Sequence, residues 1–417
     1  MKYHKPTPSD LRKKNQAEIL RKIYFEGPIS RLEVSQQIGI SPATVTNVVN
    51  DLLELGILVE SGQKQSEAGR PSILLMINSL YGHFIGIEVG ETFIQVELFN
   101  ILLSMQQKAY FPLSTGRISL EQIVDLMVTG IEEVVTKAGL KIEDTIGVGI
   151  GFPGLVDPEA GVSVYTPNWG WHDVSITGLL GKRLSIPMFL DNGAKAMAMA
   201  EMLFGAGRGA NNMAVLLVGT GVGSGIIADR VLFRGFANNA GEMGHTSLNI
   251  DGPRCRCGSQ GCLEAYIGAS SIIDYFQQIS QDQTYLPTGN QIADLQSILS
   301  EYDLGKPEAI QTVNLTIRYL GVGIANLINV FNPELVLIGG WSGLLLGNRF
   351  LPQIEEVVSK YALRQSLENN TIKLCELGQD AVARGAATLV LSHFFETAGK
   401  TKNVIVGGKA IGKASGR

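Results

Sequence analysis

Three of the four cysteines in this 417-residue chain, Cys255, Cys257 and Cys262, fall within eight consecutive positions. Thiols this crowded, with Cys375 far away, make a poor disulfide framework and favour a set of soft metal ligands. Zinc takes four ligands in tetrahedral geometry from thiolate and imidazole, and His245, ten residues before Cys255, offers the fourth. The spacing therefore favours a structural zinc ion, and free thiols in a loop are the alternative.

The composition is that of an ordinary globular protein, with 45% hydrophobic residues, 18% charged residues and a net charge of −5. Its length predicts about two to four domains. The N-terminal residues are polar, which predicts no secretory signal, and no apolar run reaches the roughly 18 to 20 residues that span a bilayer. We therefore expect a cytoplasmic protein without a membrane partner.

The N-terminal segment carries a local positive charge. Residues 1–31 contain eight basic and three acidic side chains in a chain that is acidic overall. A basic arm on an acidic protein indicates a polyanionic partner at that end, and a solvated helix face explains the charge equally well. The segment that follows favours the first interpretation.

Residues 30–56 carry the signals of two short helices joined by a turn. Ser30 and Glu33 have the spacing of a capping box, which starts a helix that runs to Ile38. Ser41 then caps a second helix with Pro42 at its first position. This pattern predicts a helix-turn-helix.

The second of these helices has an apolar and a polar face, because its apolar residues recur at i, i+3, i+4 and i+7. Apolar strands at Ile57–Glu60 and Ile73–Ile77, joined by a polar tip, predict a wing behind it. Helical pairs of this kind also occur as packing units, but the caps, the basic arm and the wing together favour DNA binding, with the helix in the major groove and the wing at the minor groove. The predicted DNA contacts are Thr44, Thr46, Asn47 and Arg70.

After about Asn78, helical stretches alternate with short apolar strands and glycine-rich turns, the pattern of an α/β protein. Residues 84–99 and 214–235 have the pattern of strand-turn-strand hairpins of similar design, which predicts two related lobes. Glycine-rich turns let backbone N–H groups approach a phosphate or a sugar, although tight turns in a twisted sheet also explain them.

Four motifs follow in order behind the predicted winged helix: GFPGLVD (151–157), GTGVGSG (219–225), GEMGH (241–245) and CRCGSQGCLE (255–264). In this order they resemble the ROK family of repressors and sugar kinases, over about residues 10–397. The resemblance implies an α/β protein with a two-lobed actin-like and sugar-kinase-like (ribonuclease H-like) fold. It also implies a sugar in the cleft and structural zinc on His245, Cys255, Cys257 and Cys262.

The resemblance further implies which residues bind the sugar. Carboxylates, amides and imidazole suit this task because sugar hydroxyls donate and accept hydrogen bonds together. Trp169 and Trp171 could stack on an apolar sugar face or belong to the core. The implied sugar ligands are Gly154, Asn168, Asn192, Glu242, His245 and Glu264.

The departures from the kinase pattern predict a lost activity, with no catalytic residue and no bound ATP. Gly193 stands where kinases of this family carry the catalytic Asp, so no base takes the proton from the sugar hydroxyl. Glu91 puts a carboxylate where a phosphate should lie, and Trp341 crowds the nucleotide position. In the rival hypothesis of an active kinase, Asp191 would replace the missing base.

The sequence thus predicts a winged helix over residues 1–78, a first lobe over 79–193 with a returning helix at 380–397, a second lobe over 194–379, and a mobile tail over 398–417. The predicted function is a sugar-responsive transcriptional repressor that binds operator DNA as a homodimer or a dimer of dimers. The PNWGWHD stretch is similar to the xylose-repressor branch, so xylose is the leading effector, ahead of glucose and N-acetylglucosamine. Control by a protein partner is a further alternative.

Overall fold

A computed structural model describes residues 8–66, 69–113, 118–280, 287–397 and 399 of the chain. Within these residues, an N-terminal helical unit with a β-hairpin precedes two lobes, and each lobe contains a five-stranded sheet. No helix in the described part of the chain is long and apolar enough to cross a membrane.

The N-terminal unit contains three helices and a three-stranded sheet. Its elements are α1 (Pro8–Glu26), β1 (Ile29–Ser30), α2 (Arg31–Ile38), α3 (Pro42–Glu54), β2 (Leu58–Ser66) and β3 (Gly69–Ile77), with strand order β1-β3-β2. The apolar face of α3 is buried, as its spacing predicts, and consists of Val45, Val48, Val49 and Leu52. Three helices followed by a hairpin are the arrangement of a winged helix-turn-helix.

Local capping fixes the ends of the two short helices. The Ser30 hydroxyl accepts a hydrogen bond from the Glu33 N–H at 3.3 Å, and the Glu33 carboxylate accepts one from the Ser30 N–H at 3.0 Å. Gly39 ends α2 with φ at 69°, a conformation that favours glycine. Ser41 caps α3 through the Thr44 N–H at 3.3 Å. Both predicted caps are confirmed.

The wing is longer than the sequence predicts. Apolar residues suggest strands only at 57–60 and 73–77, whereas β2 and β3 have nine residues each and remain paired out to Ser66 opposite Gly69. The added part is polar, so it has no alternating pattern that could reveal it. Backbone pairing extends the hairpin instead, with irregularities after Glu60 and Lys64.

The first lobe is built on the sheet β11-β7-β4-β5-β6, with a small sheet β10-β9-β8 beside it. Its elements are β4 (His83–Val89), β5 (Phe93–Asn100), β6 (Met105–Pro112), α4 (Leu120–Lys137), β7 (Thr145–Phe152), β8 (Leu155–Asp157), β9 (Val162–Thr166), β10 (Trp171–Ser175), α5 (Ile176–Gly181) and β11 (Met188–Asn192).

The second lobe is built on the sheet β14-β13-β12-β15-β16. Its elements are α6 (Gly193–Phe204), β12 (Met213–Val218), β13 (Val222–Ala228), β14 (Val231–Leu232), α7 (Glu264–Ile267), α8 (Ala269–Ile279), α9 (Gln291–Asp303), α10 (Pro307–Phe331), β15 (Leu335–Gly339), α11 (Trp341–Tyr361), α12 (Arg364–Leu367) and β16 (Thr371–Leu374). The last helix in the described part of the chain, α13 (Ala381–Glu396), returns to the first lobe.

The two sheets share one topology. In each, an antiparallel meander of three strands is extended by two strands in parallel, β7 and β11 beside β4 in the first lobe and β15 and β16 beside β12 in the second. The two hairpins that the sequence marks as similar occupy equivalent places, so the prediction of related lobes is confirmed. Parallel strands end at one edge of a sheet, and those edges of the two sheets face a common cleft.

Helix α13 joins the cleft to the winged helix. Val382 in its first turn lines the cleft, while Phe394 and Phe395 in its last turn pack in one apolar core with residues of α1 and α3. Tyr24 of α1 meets Phe395 edge to face at 5.2 Å and donates a hydrogen bond to the Ile101 carbonyl at 2.9 Å. The apolar core of the N-terminal unit is therefore continuous with that of the first lobe and α13.

Close backbone contacts seat α13 on the sheet of the first lobe. A side-chain carbon on Gly86 would lie 1.9 Å from the Ala383 carbonyl oxygen, and one on Gly149 would lie 1.8 Å from that of Ala386. Only glycine permits this approach.

The packed chain extends to Gly399, the second residue of the predicted tail. Gly399 accepts a hydrogen bond from the Tyr81 hydroxyl at 3.1 Å and is buried against Ile57 and Phe394. The other residues of the predicted tail, 398 and 400–417, lie outside the described part of the chain.

Candidate functional site

A cleft of about 870 Å³, including its open mouth, lies between the two lobes. The first lobe contributes the β4–β5 turn and the loop after β7, and the second contributes the β12–β13 turn and the segment before the cysteine loop. Among the implied sugar ligands, the structure brings together Gly154, Asn192, Glu242, His245 and Glu264 as cleft-lining residues. Asn168 is exposed at the rim, with its side-chain oxygen 3.5 Å from Arg256.

Asn192 and Gly154 shape one wall. The Asn192 side chain donates to the Gly154 carbonyl at 2.9 Å and caps α6 by accepting from the Ala194 N–H at 2.9 Å. Gly154 has φ at 78°, and a side-chain carbon there would lie 2.2 Å from the Tyr165 carbonyl oxygen. Asn192 thus positions the backbone around the cleft, because both ends of its amide are already engaged.

Glu242 offers a carboxylate to the cleft. It lies at the start of a short 3-10 helix, Met243–His245, and within the described residues its side chain meets no hydrogen-bond donor. Burial raises the pKa of Glu242, and the positive charge of Lys195 opposes that rise. A ligand hydroxyl would supply the donor that this carboxylate lacks.

Glu264 forms the back of the cleft. It begins α7, accepts a hydrogen bond from the Val222 N–H at 2.9 Å, and lies 3.3 Å from the Arg256 guanidinium. The carboxylate is therefore fixed by the β12–β13 turn on one oxygen and faces a cation on the other.

The cysteine loop brings four soft ligand atoms together. The ligand atoms of His245, Cys255, Cys257 and Cys262 all lie within 4.8 Å of one another. The Cys255 sulfur is 3.6 Å from His245 Nδ1, and the sulfurs of Cys257 and Cys262 are 3.8 Å apart. These separations exclude a disulfide between the latter pair.

The cluster geometry fits a tetrahedral metal ion. Two sulfurs bound to one zinc at 2.3 Å lie about 3.8 Å apart, close to the separation observed here. Burial raises the pKa of the Cys255 thiol to about 12, so a metal ion would supply the positive charge that a buried thiolate requires. The group can therefore hold a metal.

Comparison with known proteins identifies the chain. The model of the ROK family matches residues 84–393. The chain belongs to the ROK family. It is 31% identical to the xylose repressor of Caldicellulosiruptor bescii over 92% of this chain and 96% of that protein, and 28% identical to the transcriptional dual regulator NagC of Escherichia coli over 90% and 92%.

Solved ROK structures include both regulators and kinases. A ROK family transcriptional regulator, described as a homologue of the E. coli MLC protein, superposes with a TM-score of 0.78 at 25% identity and covers 93% of this chain and 98% of its own. A ROK family glucokinase from Streptomyces griseus, in complex with glucose and AMPPNP, gives a TM-score of 0.65 at 27% identity and covers 74% and 99%. The predicted two-lobed, actin-like α/β fold is confirmed.

In this ROK chain, Asp191 does not face the cleft. Its side chain is 1% exposed, pairs with Arg234 at 2.7 Å, and is not among the described residues that line the cavity. Gly193 does line the cleft, and a side-chain carbon there would meet only Val382, at 3.5 Å. The position thus has room for a side chain but carries none, and Asp191 has a structural partner elsewhere.

The predicted obstacles to a nucleotide both lie in the cleft. Glu91 forms an ion pair with Arg256 at 2.6 Å. Trp341 packs over Gly219, where a side-chain carbon would lie 3.3 Å from the indole nitrogen. Glu88, also in the cleft wall, has a pKa raised to about 8 by burial. All three side chains line the cleft.

Trp169 and Trp171 pack against one another with ring centroids 4.6 Å apart, and Trp169 meets Phe152 at 6.1 Å. Neither tryptophan is among the described residues that line the cleft, which favours the core interpretation.

Sequence reasoning overlooked Arg256 and the buried Lys195, which donates to the Asn238 carbonyl beneath the cleft. A cation between two clustered cysteines is the one signal that could have drawn attention to Arg256.

Three of the four predicted DNA contacts, Thr44, Thr46 and Asn47, lie on α3. Asn47 and Thr46 are exposed and Thr44 is half-buried. The Thr44 hydroxyl hydrogen-bonds with that of the Ser41 cap, and the Thr46 hydroxyl donates to the Pro42 carbonyl. Arg12 of α1 pairs with Asp51 at 3.0 Å beside this face. Arg70 lies in β3, and its side chain is outside the described part of the chain.

Proposed function

We propose that this ROK protein is a repressor that binds operator DNA through its winged helix and releases it when a monosaccharide enters the cleft. The main support is that α13 carries residues of both the cleft and the core beneath the winged helix, so the two share one rigid element. The similarity to proteins named xylose repressor over nearly the whole chain supports the same role. Sugar binding then changes operator affinity only if the sugar-free and sugar-bound proteins hold their winged helices in different arrangements.

The effector we propose is a neutral monosaccharide, with xylose first and glucose or N-acetylglucosamine as alternatives. Glu242, His245 and Glu264 provide acceptors and an imidazole for paired hydroxyls, while Asn168 borders the mouth. Gly154 and Asn192 shape the wall against which the sugar lies. The relatives named for xylose and for N-acetylglucosamine support this class of ligand.

We further propose that Thr44, Thr46, Asn47 and Arg70 contact the operator. The exposed amide of Asn47 suits a bidentate contact with adenine in the major groove. One winged helix reads a half-site, so a homodimer on a pseudo-palindromic operator is the expected assembly.

The sugar response is tested by a thermal-shift screen of xylose, glucose and N-acetylglucosamine, with and without an operator selected from random duplexes. We expect one sugar to raise the melting temperature of the free protein and to weaken operator binding. If no sugar shifts the melting temperature, control by a protein partner becomes the better hypothesis. Sugar-dependent ATP consumption that is lost in Asp191→Ala would instead support the kinase.

We propose that the metal is zinc and that it holds the loop carrying Glu264. Cys257→Ser is expected to reduce the metal content from about one per chain to near zero and to weaken the sugar response, because the loop loses its fixed geometry. Elemental analysis of protein purified without chelator measures the first effect. Cys375→Ser, which changes a buried thiol outside the cluster, is the control. Equal metal content in wild type and Cys257→Ser would contradict the assignment.

A further inference from the structure

Arg256 links the two lobes across the mouth of the cleft. It lies between two cysteines of the second-lobe loop, and its guanidinium is 2.6 Å from Glu91 in the β4–β5 turn of the first lobe. The same guanidinium is 3.3 Å from Glu264, on its own lobe. Two carboxylates from opposite walls therefore share one cation.

The β12–β13 turn makes room for this group of charges. A side-chain carbon on Gly221 would lie 2.8 Å from a Glu264 oxygen, 2.9 Å from an Arg256 nitrogen and 3.5 Å from a Glu91 oxygen. Gly221 of the GTGVGSG motif thus leaves open the space in which these three side chains meet.

The charges of Glu91 and Glu264 favour a closed cleft only while the Arg256 guanidinium lies between them. The side chains of Glu91 and Glu264 are 14% and 7% exposed, so water screens their mutual repulsion poorly. Removing Arg256 would leave two like charges facing each other, and opening the lobes would separate them.

We propose that Arg256 is a positioning residue whose ion pair with Glu91 holds the lobes in the sugar-binding arrangement. In a nucleotide-binding cleft, cations gather around a phosphate. Here Glu91 puts an anion of the chain at the position assigned to that phosphate, and Arg256 binds it. This inference rests on the proposed sugar site for its effect on binding, but the link between the lobes exists without a ligand.

A double-mutant cycle tests the link. Arg256→Gln and Glu91→Gln each remove one charge, and Arg254→Gln removes an exposed charge from the same loop as the control. In protein without sugar, we expect each cleft variant to accelerate amide exchange at residues 90–93 and 219–222 by about tenfold or more, and the double variant to match the single variants. Arg254→Gln should exchange like wild type.

Sugar affinity gives the second measurement. By titration calorimetry with the sugar that stabilises the wild type, Arg256→Gln and Glu91→Gln should each weaken binding by about tenfold or more. Tighter sugar binding to Arg256→Gln would overturn the proposal, because Arg256 would then block the site. Additive effects of the two substitutions on amide exchange would also overturn it. Glu91 lies outside the cysteine loop, so Glu91→Gln still tests the proposal if Arg256→Gln loses its metal. If no sugar binds the wild type, the proposed function fails while the exchange measurements still decide the link.

Discussion

Glu242→Gln is expected to bind operator DNA with unchanged affinity and to ignore the sugar that releases the wild type. The substitution keeps the shape of the side chain but removes the charge that strengthens hydrogen bonds from sugar hydroxyls, each worth about 1.5–3 kcal/mol. Sugar affinity should therefore fall by roughly 10- to 100-fold. Operator binding should persist because Glu242 lies in the second lobe, away from the winged helix.

Fluorescence anisotropy of a labelled operator, titrated with sugar, measures this loss. Glu355→Gln removes a charge from the exposed side of α11 in the same lobe and should respond like the wild type. A Glu242→Gln protein that releases the operator at the original sugar concentration would locate the sensor elsewhere.

Asn47→Ala should lower operator affinity by roughly 1–3 kcal/mol and relax the sequence preference at one base pair, because the exposed amide is placed to read a base edge. Lys13→Ala, on the exposed side of α1, should instead weaken binding to all sequences alike and reduce its dependence on salt. Binding of both variants to selected and random duplexes at several salt concentrations separates the two effects. If both variants weakened the two kinds of duplex equally, α3 would not be the reading helix.

The parts of the fold that sequence predicts well are those with local signals. The capping box of Ser30 and Glu33 spans three residues, and its hydrogen bonds form as the spacing requires. The paired hairpins and the cysteine loop could also be predicted from the sequence, because the residues of each lie close together in the chain. The wing was underestimated because backbone pairing, which leaves no apolar pattern, determines its length.

The remainder depends on contacts between distant residues. Glu91 and Arg256 are 165 positions apart, so no local pattern could join them. The choice between Asp191 and Gly193 at the cleft was also undecided by spacing, because the direction of Asp191 is set by its pairing with Arg234 in the other lobe. Likewise, nothing in the local sequence of α13 predicts that its aromatic residues pack against the N-terminal unit.

That shared core has a consequence for how the protein is made. The N-terminal unit emerges from the ribosome first. The apolar surface beneath it is covered by Phe394 and Phe395, which are synthesised hundreds of residues later. A chain that ends before α13 therefore leaves this apolar surface of the N-terminal unit uncovered. We therefore expect the N-terminal unit to become fully packed only in chains that include α13.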